Sequence, residues 1–306
     1  MPVKVIYVGG TGRSGSTLVD RIIGQIPGYV SAGEVRTVWR AGLGENRLCG
    51  CGQAFSDCPF WKRVGEKAFG GWSNLDWKDA EAALASFTYF DALRQLGSRS
   101  SAMSASANRR TSLLGRLYEG IASAADGATI VDSSKGPRYG LILSSVPGID
   151  FRAIHLVRDS RGVAYSWSKA VTRPDTPGRE VQMPRFSAPS ASVRWLAHNA
   201  VIELLGRRMP MTRMRYETFA DDPRSELLRV LGDLGLHVPT SDLSFLGDAS
   251  VRLGPNHTVM GNPMRMATGD IPLRIDAAWR SNFPRLQRAQ VTALTWPMLI
   301  RYGYRP

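Results

Sequence analysis

Residues 3–18 read VKVIYVGGTGRSGSTL, a β-branched, apolar run that stops at two glycines and opens into a loop of glycines and hydroxyls. Residues 3–8 suit a buried strand. Leu18, Ile22, Ile23 and Ile26 then recur at helical spacing as far as Pro27-Gly28. A strand, a glycine-rich turn and a helix form the setting of a phosphate-binding loop. Gly10 and Gly15 have the spacing of the triphosphate pattern GxxxxGK[ST], but Ser16 stands where that pattern has lysine. The lysine reaches the outer phosphates of ATP or GTP, and the hydroxyl after it holds Mg²⁺. No strand ends in an aspartate suited to that metal, so a triphosphate site lacks both supports. The backbone amides of residues 12–17 still converge at a helix N-terminus, which favours an anion. Arg13, at the tip of the loop, is the candidate for the missing cation. A glycine turn without a ligand is the plainer reading, and the flanking strand and helix weigh against it.

The rest of the chain bounds the ligand. At 306 residues and 43% hydrophobic content it can bury a sizeable core, and one domain over 1–306 is expected. The net charge of +13, weighted towards arginine, suits a polyanion. The basic residues are scattered, with no Lys/Arg run and no nucleic-acid signature, so a small charged cofactor is expected rather than nucleic acid. No apolar run approaches the ~20 residues of a membrane span. The first residues lack a signal peptide's long apolar region, so a cytoplasmic location is expected. The Arg, Gly and Ala usage matches a high-GC bacterial source.

Strands and helices alternate from there on. Helices are expected over 76–96 and 108–125, joined by an exposed Ser-rich link, SRSSAMSASAN. ATIVDSSKG (128–136) reads as a strand running into a helix from Pro137, and FRAIHLVRDSRGVAYSWSK (151–169) as a strand, a turn and a helix. A long helix over 189–208, a strand at 211–215 and a helix from Pro223 follow. Residues 171–187, with three prolines and no periodicity, read as a mobile loop too long to be a mere connector. The alternation predicts an α/β, three-layer P-loop-type fold, with a central parallel sheet flanked by helices.

Cys49, Cys51 and Cys58 fall together in LCGCGQAFSDCPFW. A zinc site usually needs four ligands, and no histidine nearby in the sequence completes this one. A local structural turn is the favoured reading, metal binding a minor one, and no metal ligand is assigned.

With these residues in place, TGRSGSTL resembles the 5′-phosphosulfate loop of the sulfotransferases that use 3′-phosphoadenosine-5′-phosphosulfate (PAPS). LVRDSRGVAYSWSK is similar to that family's 3′-phosphate motif, with Arg158 at the strand end and Ser166 eight residues on. An arginine there presents a fixed fork to phosphate oxygens. SAGEVRTVWR resembles the GE-x-R segment of tyrosylprotein-type members, which makes Glu34 the general base, with Arg36 beside it. Read without the resemblance, Glu34 could equally cap the helix that begins there. RYETFADDPRSELLRVLGDLGL, CGCG…CPFW and VDSSKGPRYG also look like family segments. NHTVMGNPMR resembles a loop that closes over the 3′-phosphoadenosine, which adds Gly261, Asn262 and Arg265.

The resemblance implies sulfuryl transfer from PAPS to a hydroxyl of a small-molecule, lipid or carbohydrate acceptor, leaving 3′-phosphoadenosine-5′-phosphate (PAP). Gly12, Arg13, Ser14, Gly15, Ser16 and Thr17 would hold the 5′ side. Arg13 would stabilise charge on the leaving oxygen, and Lys135 is equally a second cation candidate or an ordinary surface lysine before a helix. The tyrosylprotein enzymes are membrane-anchored, and their peptide substrate does not carry over. Two alternatives stand beside this reading: a P-loop kinase, and a non-catalytic PAP- or nucleotide-binding protein. His155 reads as a core residue, and His257 either as a contact to substrate or, more commonly, as a tie within its own loop. Trp195, His198 and Asn199 could line an acceptor pocket, though core packing is the blander account. Tyr216 and Glu217 read as structural, and 171–187 as an acceptor-selecting lid.

Overall fold

The computed structural model describes residues 1–88, 91, 105–176, 178 and 180–305. β1 (Val3–Gly10) is the middle strand of a five-stranded parallel sheet. Its side chains alternate, Val5 and Tyr7 to one face and Ile6 and Val8 to the other, and both sets are buried. A strand buried on both faces needs helices on both, as parallel sheets generally have. α1 (Ser16–Ile23) covers one face, and β2 (Tyr29–Gly33) follows. α2 (Pro59–Phe69), α3 (Trp77–Ala85) and α4 (Ala105–Ala124) lead to β3 (Thr129–Lys135) and α5 (Pro137–Ser144). β4 (Ile149–Val157), α6 (Ser160–Ser168), α7 (Ala188–Leu205) and β5 (Met211–Arg215) complete the sheet, in the order β2-β3-β1-β4-β5. α8 (Tyr216–Asp221) and α9 (Pro223–Asp233) return along it. A two-stranded antiparallel ribbon of β6 (Ser250–Leu253) and β7 (Gly269–Pro272) precedes α10 (Trp279–Asn282) and α11 (Arg285–Arg301).

Val19, Ile22 and Ile23 of α1 and Leu227, Val230 and Leu231 of α9 fill one layer. Trp61 and Val64 of α2, Leu114 and Leu117 of α4 and Leu141 of α5 fill the other. The three-layer α/β expectation is met. No helix among the described residues is long and apolar enough to cross a membrane.

Two strand regions lie outside the sequence reading. β2 is a five-residue edge strand whose pairing with β3 supplies what its short pattern could not announce. The β6–β7 ribbon is likewise too short to stand out. Of the helix expected over 76–96, α3 covers the first part. Residues 89–90 and 92–96, with most of the Ser-rich link, lie outside the described residues, and α4 opens at Ala105 inside the link.

The sheet places four chain turns side by side. β1 ends at Gly10, β2 at Gly33, β3 at Lys135 and β4 at Val157, each immediately before a segment singled out in the sequence. Open parallel sheets bind ligands outside the carboxyl ends of their strands, where the strand order reverses. Here the chain leaves β1 for the β2 edge, returns through β3, and crosses to the other side of β1 as β4.

Candidate active site

The phosphate loop is shaped by residues without room for side chains. A Cβ on Gly10 would lie 2.4 Å from the Leu156 carbonyl oxygen, and one on Gly12 2.6 Å from the Trp167 ring. Gly15 has φ +92° and its Cβ would meet the Tyr216 ring at 2.5 Å. Arg13 itself holds a left-handed φ of 71°, a conformation that costs an L-residue about 1–2 kcal/mol. The turn therefore points the Arg13 side chain off the sheet end. Its guanidinium lies 4.9 Å from the Trp167 ring centroid, and Nη2 donates to the Met183 sulfur at 3.3 Å. A thioether is a weak acceptor. Arg13 Nε is buried with no partner. Burial, reinforced by Arg173, lowers the Arg13 pKa, and Glu34 opposes the shift.

Arg158 leaves β4 into the same space. Nη1 donates to the Arg13 carbonyl at 3.0 Å, and Nη2 to Asp276 Oδ2 at 2.9 Å. The guanidinium lies over the Tyr216 ring, 4.7 Å from its centroid. Tyr216 thus backs both Gly15 and Arg158, a larger part than the structural one expected of it. Glu217 keeps that structural part, accepting from the Asp159 amide at 3.1 Å and from the Tyr304 hydroxyl at 2.6 Å.

Glu34 follows β2, and its position is set by backbone. Its amide donates to the Val259 carbonyl at 2.9 Å, while the Val259 amide donates to the Ala32 carbonyl at 3.1 Å. Gly33, at φ +76°, makes room for this contact, since a Cβ would lie 2.6 Å from the Val259 oxygen. The Glu34 side chain caps no helix, which removes the capping alternative. Its Oε1 instead accepts from Lys135 Nζ at 2.7 Å, and Arg36 Nη2 lies 3.5 Å from Oε2. Burial would raise the Glu34 pKa, but the charges of Lys135 and Arg36 and the Lys135 hydrogen bond bring it below its usual value. Lys135 has a left-handed φ of 65° and also donates to the Ser133 carbonyl at 3.0 Å.

All three groups open on one cavity of about 780 Å³, within the range of small-molecule sites. Gly12, Arg13, Gly15, Ser16, Thr17, Glu34, Lys135, Arg158, Ser166, Gly261 and Asn262 line it. The last two are tied to the phosphate loop, because the Asn262 amide donates to Thr17 Oγ1 at 3.2 Å.

Two expected cofactor residues do not line the cavity. The Ser14 hydroxyl is buried and paired with Thr11 Oγ1 at 3.0 Å. Arg265, 1% exposed, is turned inwards to the Thr258 and Leu48 carbonyls at 2.7 and 2.6 Å and to Asp175 Oδ2 at 3.1 Å. It braces the loop from below, because a motif position says nothing about which way its side chain turns.

The segment 171–187 is anchored at Asp175, which is buried against Arg265 and lies 3.6 Å from Arg173. Its arms pair, Arg173 N to the Val181 oxygen and Met183 N to the Val171 oxygen, both at 2.8 Å. Arg173, Met183, Pro184 and Phe186 reach the cavity wall.

Several lining residues had no motif to mark them. Arg173 and Arg194 join Arg36 and Arg138, which fall in the GE-x-R and VDSSKGPRYG segments, and raise the lining to seven cations, with Arg13, Lys135 and Arg158, against Glu34 and Glu81. For Arg194 only the overall charge was a hint. Trp195 and His198 line the cavity, while Asn199 is held in the core by His155 Nε2 at 2.8 Å. His198 Nδ1 is buried without a partner, and burial lowers its pKa. His155 is a core residue as expected, pushed down to about 4 by burial.

The sequence pattern of the sulfotransferase family matches residues 5–240. The chain belongs to that family. The matched span contains the phosphate loop, Glu34, Lys135, Arg158 and Ser166 of this sulfotransferase's cavity, while Gly261 and Asn262 lie beyond it.

Among solved structures it is similar to the sulfotransferase domain of the Synechococcus PCC 7002 olefin synthase, at 20% identity and a TM-score of 0.47. That alignment covers 100% of this chain and 96% of the other. It is also similar to sulfotransferase STF9 from Mycobacterium avium, at 14% identity and 0.47, covering 100% and 78%. A third is retinol dehydratase in complex with androsterone and inactive cofactor PAP, at 14% and 0.42, covering 98% and 82%. No curated protein sequence matches the chain.

Proposed function

We propose that this sulfotransferase transfers the sulfuryl group of PAPS to a hydroxyl of a small-molecule, lipid or carbohydrate acceptor, with Glu34 as general base. The observation that carries the reading is the single cavity on which the phosphate loop, the Arg158–Ser166 pair and the Glu34–Lys135 pair all open. The residues fit the nucleotide. Gly12 and Gly15 let the loop backbone line the cavity while Trp167 and Tyr216 pack against its other side, Arg13 Nε is buried without a partner, and seven cations face two carboxylates.

PAPS would supply an activated sulfuryl group whose transfer leaves PAP. The amides of residues 12–17 would hold the 5′-phosphate at the start of α1, where the helix dipole favours an anion. Arg13, fixed against Trp167, would neutralise charge on the leaving oxygen without reorganising. Arg158 and Ser166 would take the 3′-phosphate, and Gly261 and Asn262 would close over the nucleoside. Glu34, ionised at neutral pH, would accept the acceptor's hydroxyl proton. Lys135 holds that carboxylate in place and adds a cation for the sulfuryl oxygens. Leu84, Tyr139, Ile142 and Phe186 give the cavity apolar lining, which suits an acceptor with an apolar body. Phe186 and Met183 belong to the 171–187 segment, which supports its part in choosing the acceptor.

The kinase alternative is disfavoured by Ser16 at the lysine position. The carboxylate on β3 does not rescue it. Asp132 is fully buried, accepts from Tyr118 Oη and the Ser134 amide, and is pushed up to about 6 by that burial. Calorimetry with PAP, and separately with ATP plus Mg²⁺, tests the nucleotide. Tighter binding of ATP would overturn the proposal. Turnover of labelled PAPS on a panel of hydroxyl acceptors tests the enzyme, and PAP binding without any transfer would favour the binding-protein alternative.

A further inference from the structure

The three cysteines do not stand alone in space. The fold brings His257, some two hundred positions later, onto them, a fourth group that the sequence around the cysteines lacks. Cys51 Sγ lies 3.7 Å from Cys58 Sγ. His257 Nδ1 lies 3.3 Å from Cys58 Sγ and 3.8 Å from Cys49 Sγ. All four potential ligand atoms fall within 4.8 Å of one another. A tetrahedral zinc ion, with Zn–S of about 2.3 Å and Zn–N of about 2.0–2.1 Å, sets sulfurs about 3.8 Å apart and sulfur and nitrogen about 3.5 Å apart. From this geometry we infer that Cys49, Cys51, Cys58 and His257 form a structural Zn²⁺ site of the Cys₃His type.

The surroundings are built to hold these groups. Cys49 and Cys58 are buried and Cys51 is half-buried, and all three thiols are free. The His257 ring stacks on Phe60, with centroids 4.8 Å apart and planes 10° from parallel. The Trp61 indole donates to the His257 carbonyl at 2.9 Å, and the Gly50 amide to the Thr258 carbonyl at 3.0 Å. Gly50 is required for that approach, since a Cβ there would lie 1.9 Å from Asn256 Oδ1. Thiolate-rich tetrahedral sets select zinc over hard cations such as Mg²⁺ or Ca²⁺. Four protein ligands leave no open position, so the ion is structural rather than catalytic. Binding releases the thiol protons to solvent, and no redox change is involved.

The position of the site gives it a purpose. Val259, two residues after the histidine, pairs with the backbone of Glu34, and Asn262 pairs with Thr17 of the phosphate loop. The ion cross-links the Cys49–Cys58 turn to this loop and so fixes one wall of the cavity from outside it. His257, Cys49, Cys51 and Cys58 do not themselves line the cavity.

The test uses the whole chain, purified under reducing conditions, loaded with zinc, desalted and measured by plasma mass spectrometry. One zinc per chain is expected. Cys58→Ser and His257→Ala should lose it, while His257→Cys, which preserves four ligands, should keep it. Should Cys58→Ser fail to fold, Cys51→Ser at the least buried ligand makes the same measurement. Cobalt(II) in place of zinc should give the intense visible bands of a tetrahedral thiolate site, shifted in His257→Cys. Chelation should lower the Tm of the wild type and leave that of His257→Ala unchanged. No zinc retained by the reduced wild type, iron in place of zinc, or a Cys51–Cys58 disulfide that forms despite zinc would each overturn the assignment.

Discussion

Glu34→Gln keeps the shape of a side chain and removes only its charge. In the wild type the carboxylate is 13% exposed, bonded to Lys135 Nζ at 2.7 Å, with Arg36 at 3.5 Å on its other oxygen. Burial alone would push its pKa up, and the two cations bring it below the usual value. Glu34 is therefore ionised at neutral pH and able to receive a proton. Loss of a general base costs about 10²–10⁴-fold in rate, which is about 2.7–5.4 kcal/mol at 1.36 kcal/mol per decade. The structural cost is separate. Removing one partner of a buried ion pair costs about 3–5 kcal/mol, but the amide oxygen of the substituted side chain still accepts from Lys135, so the loss in stability falls below that range. The assay is single-turnover transfer from labelled PAPS, with PAP calorimetry and a melting curve on the same sample. Turnover should fall by two to four decades while PAP affinity stays within about twofold, as expected of a group that acts on the acceptor rather than on the nucleotide. Near-wild-type turnover would refute the base assignment. A fall in turnover matched by an equal fall in PAP affinity would refute it too, by making Glu34 part of the nucleotide site.

The same pair should set the acid limb of the pH profile. Because the folded pKa of Glu34 is lowered, activity and the pair's stability contribution are present above the unfolded pKa and lost as pH falls through the folded value. Lys135→Met removes the largest lowering charge, so the acid limb should move to higher pH; an unmoved limb would assign it to another group. Asp276→Ala frees the Arg158 fork from a carboxylate held at 2.9 Å. PAP affinity measured by calorimetry should then rise, by up to about tenfold or ~1.4 kcal/mol, and a fall would mean that Asp276 supports the nucleotide rather than competing with it. Gly15→Ala forces a side chain into φ +92° and 2.5 Å from the Tyr216 ring. The conformation alone costs about 1–2 kcal/mol, and PAP affinity should drop with it; unaffected binding would show that the phosphate does not rest on this turn.

Much of this molecule is local in origin and therefore legible in its sequence. The strand, turn and helix around GGTGRSGSTL follow from β-branched spacing, glycine freedom and helical periodicity, all of which act within a few residues. The same holds for the strand end that carries Arg158 and for the long helix Ala188–Leu205. Residues placed directly at strand ends, such as Glu34, Lys135 and Arg158, arrived at the cavity because parallel strands deliver their carboxyl ends to one side.

Side-chain direction and distant pairing were decided elsewhere. Arg265 lies in a stretch read as a nucleotide loop, yet its guanidinium turns to the Leu48 carbonyl and Asp175, because a buried carboxylate and carbonyl need a charged donor to offset their lost hydration. Glu34 could have capped a helix by its sequence, and only Lys135 from β3 and Val259 from the far end of the chain give it another task. The cysteine turn shows the limit most plainly. Cys49, Cys51 and Cys58 are local, but the fourth group, His257, is brought to them by the loop that runs from the ribbon back to β2. The sequence by itself determined four of the five strands of the sheet and the glycine turn that favours an anion. Tertiary structure decided which groups face the cavity and which brace it, since those choices depend on partners that no local spacing encodes.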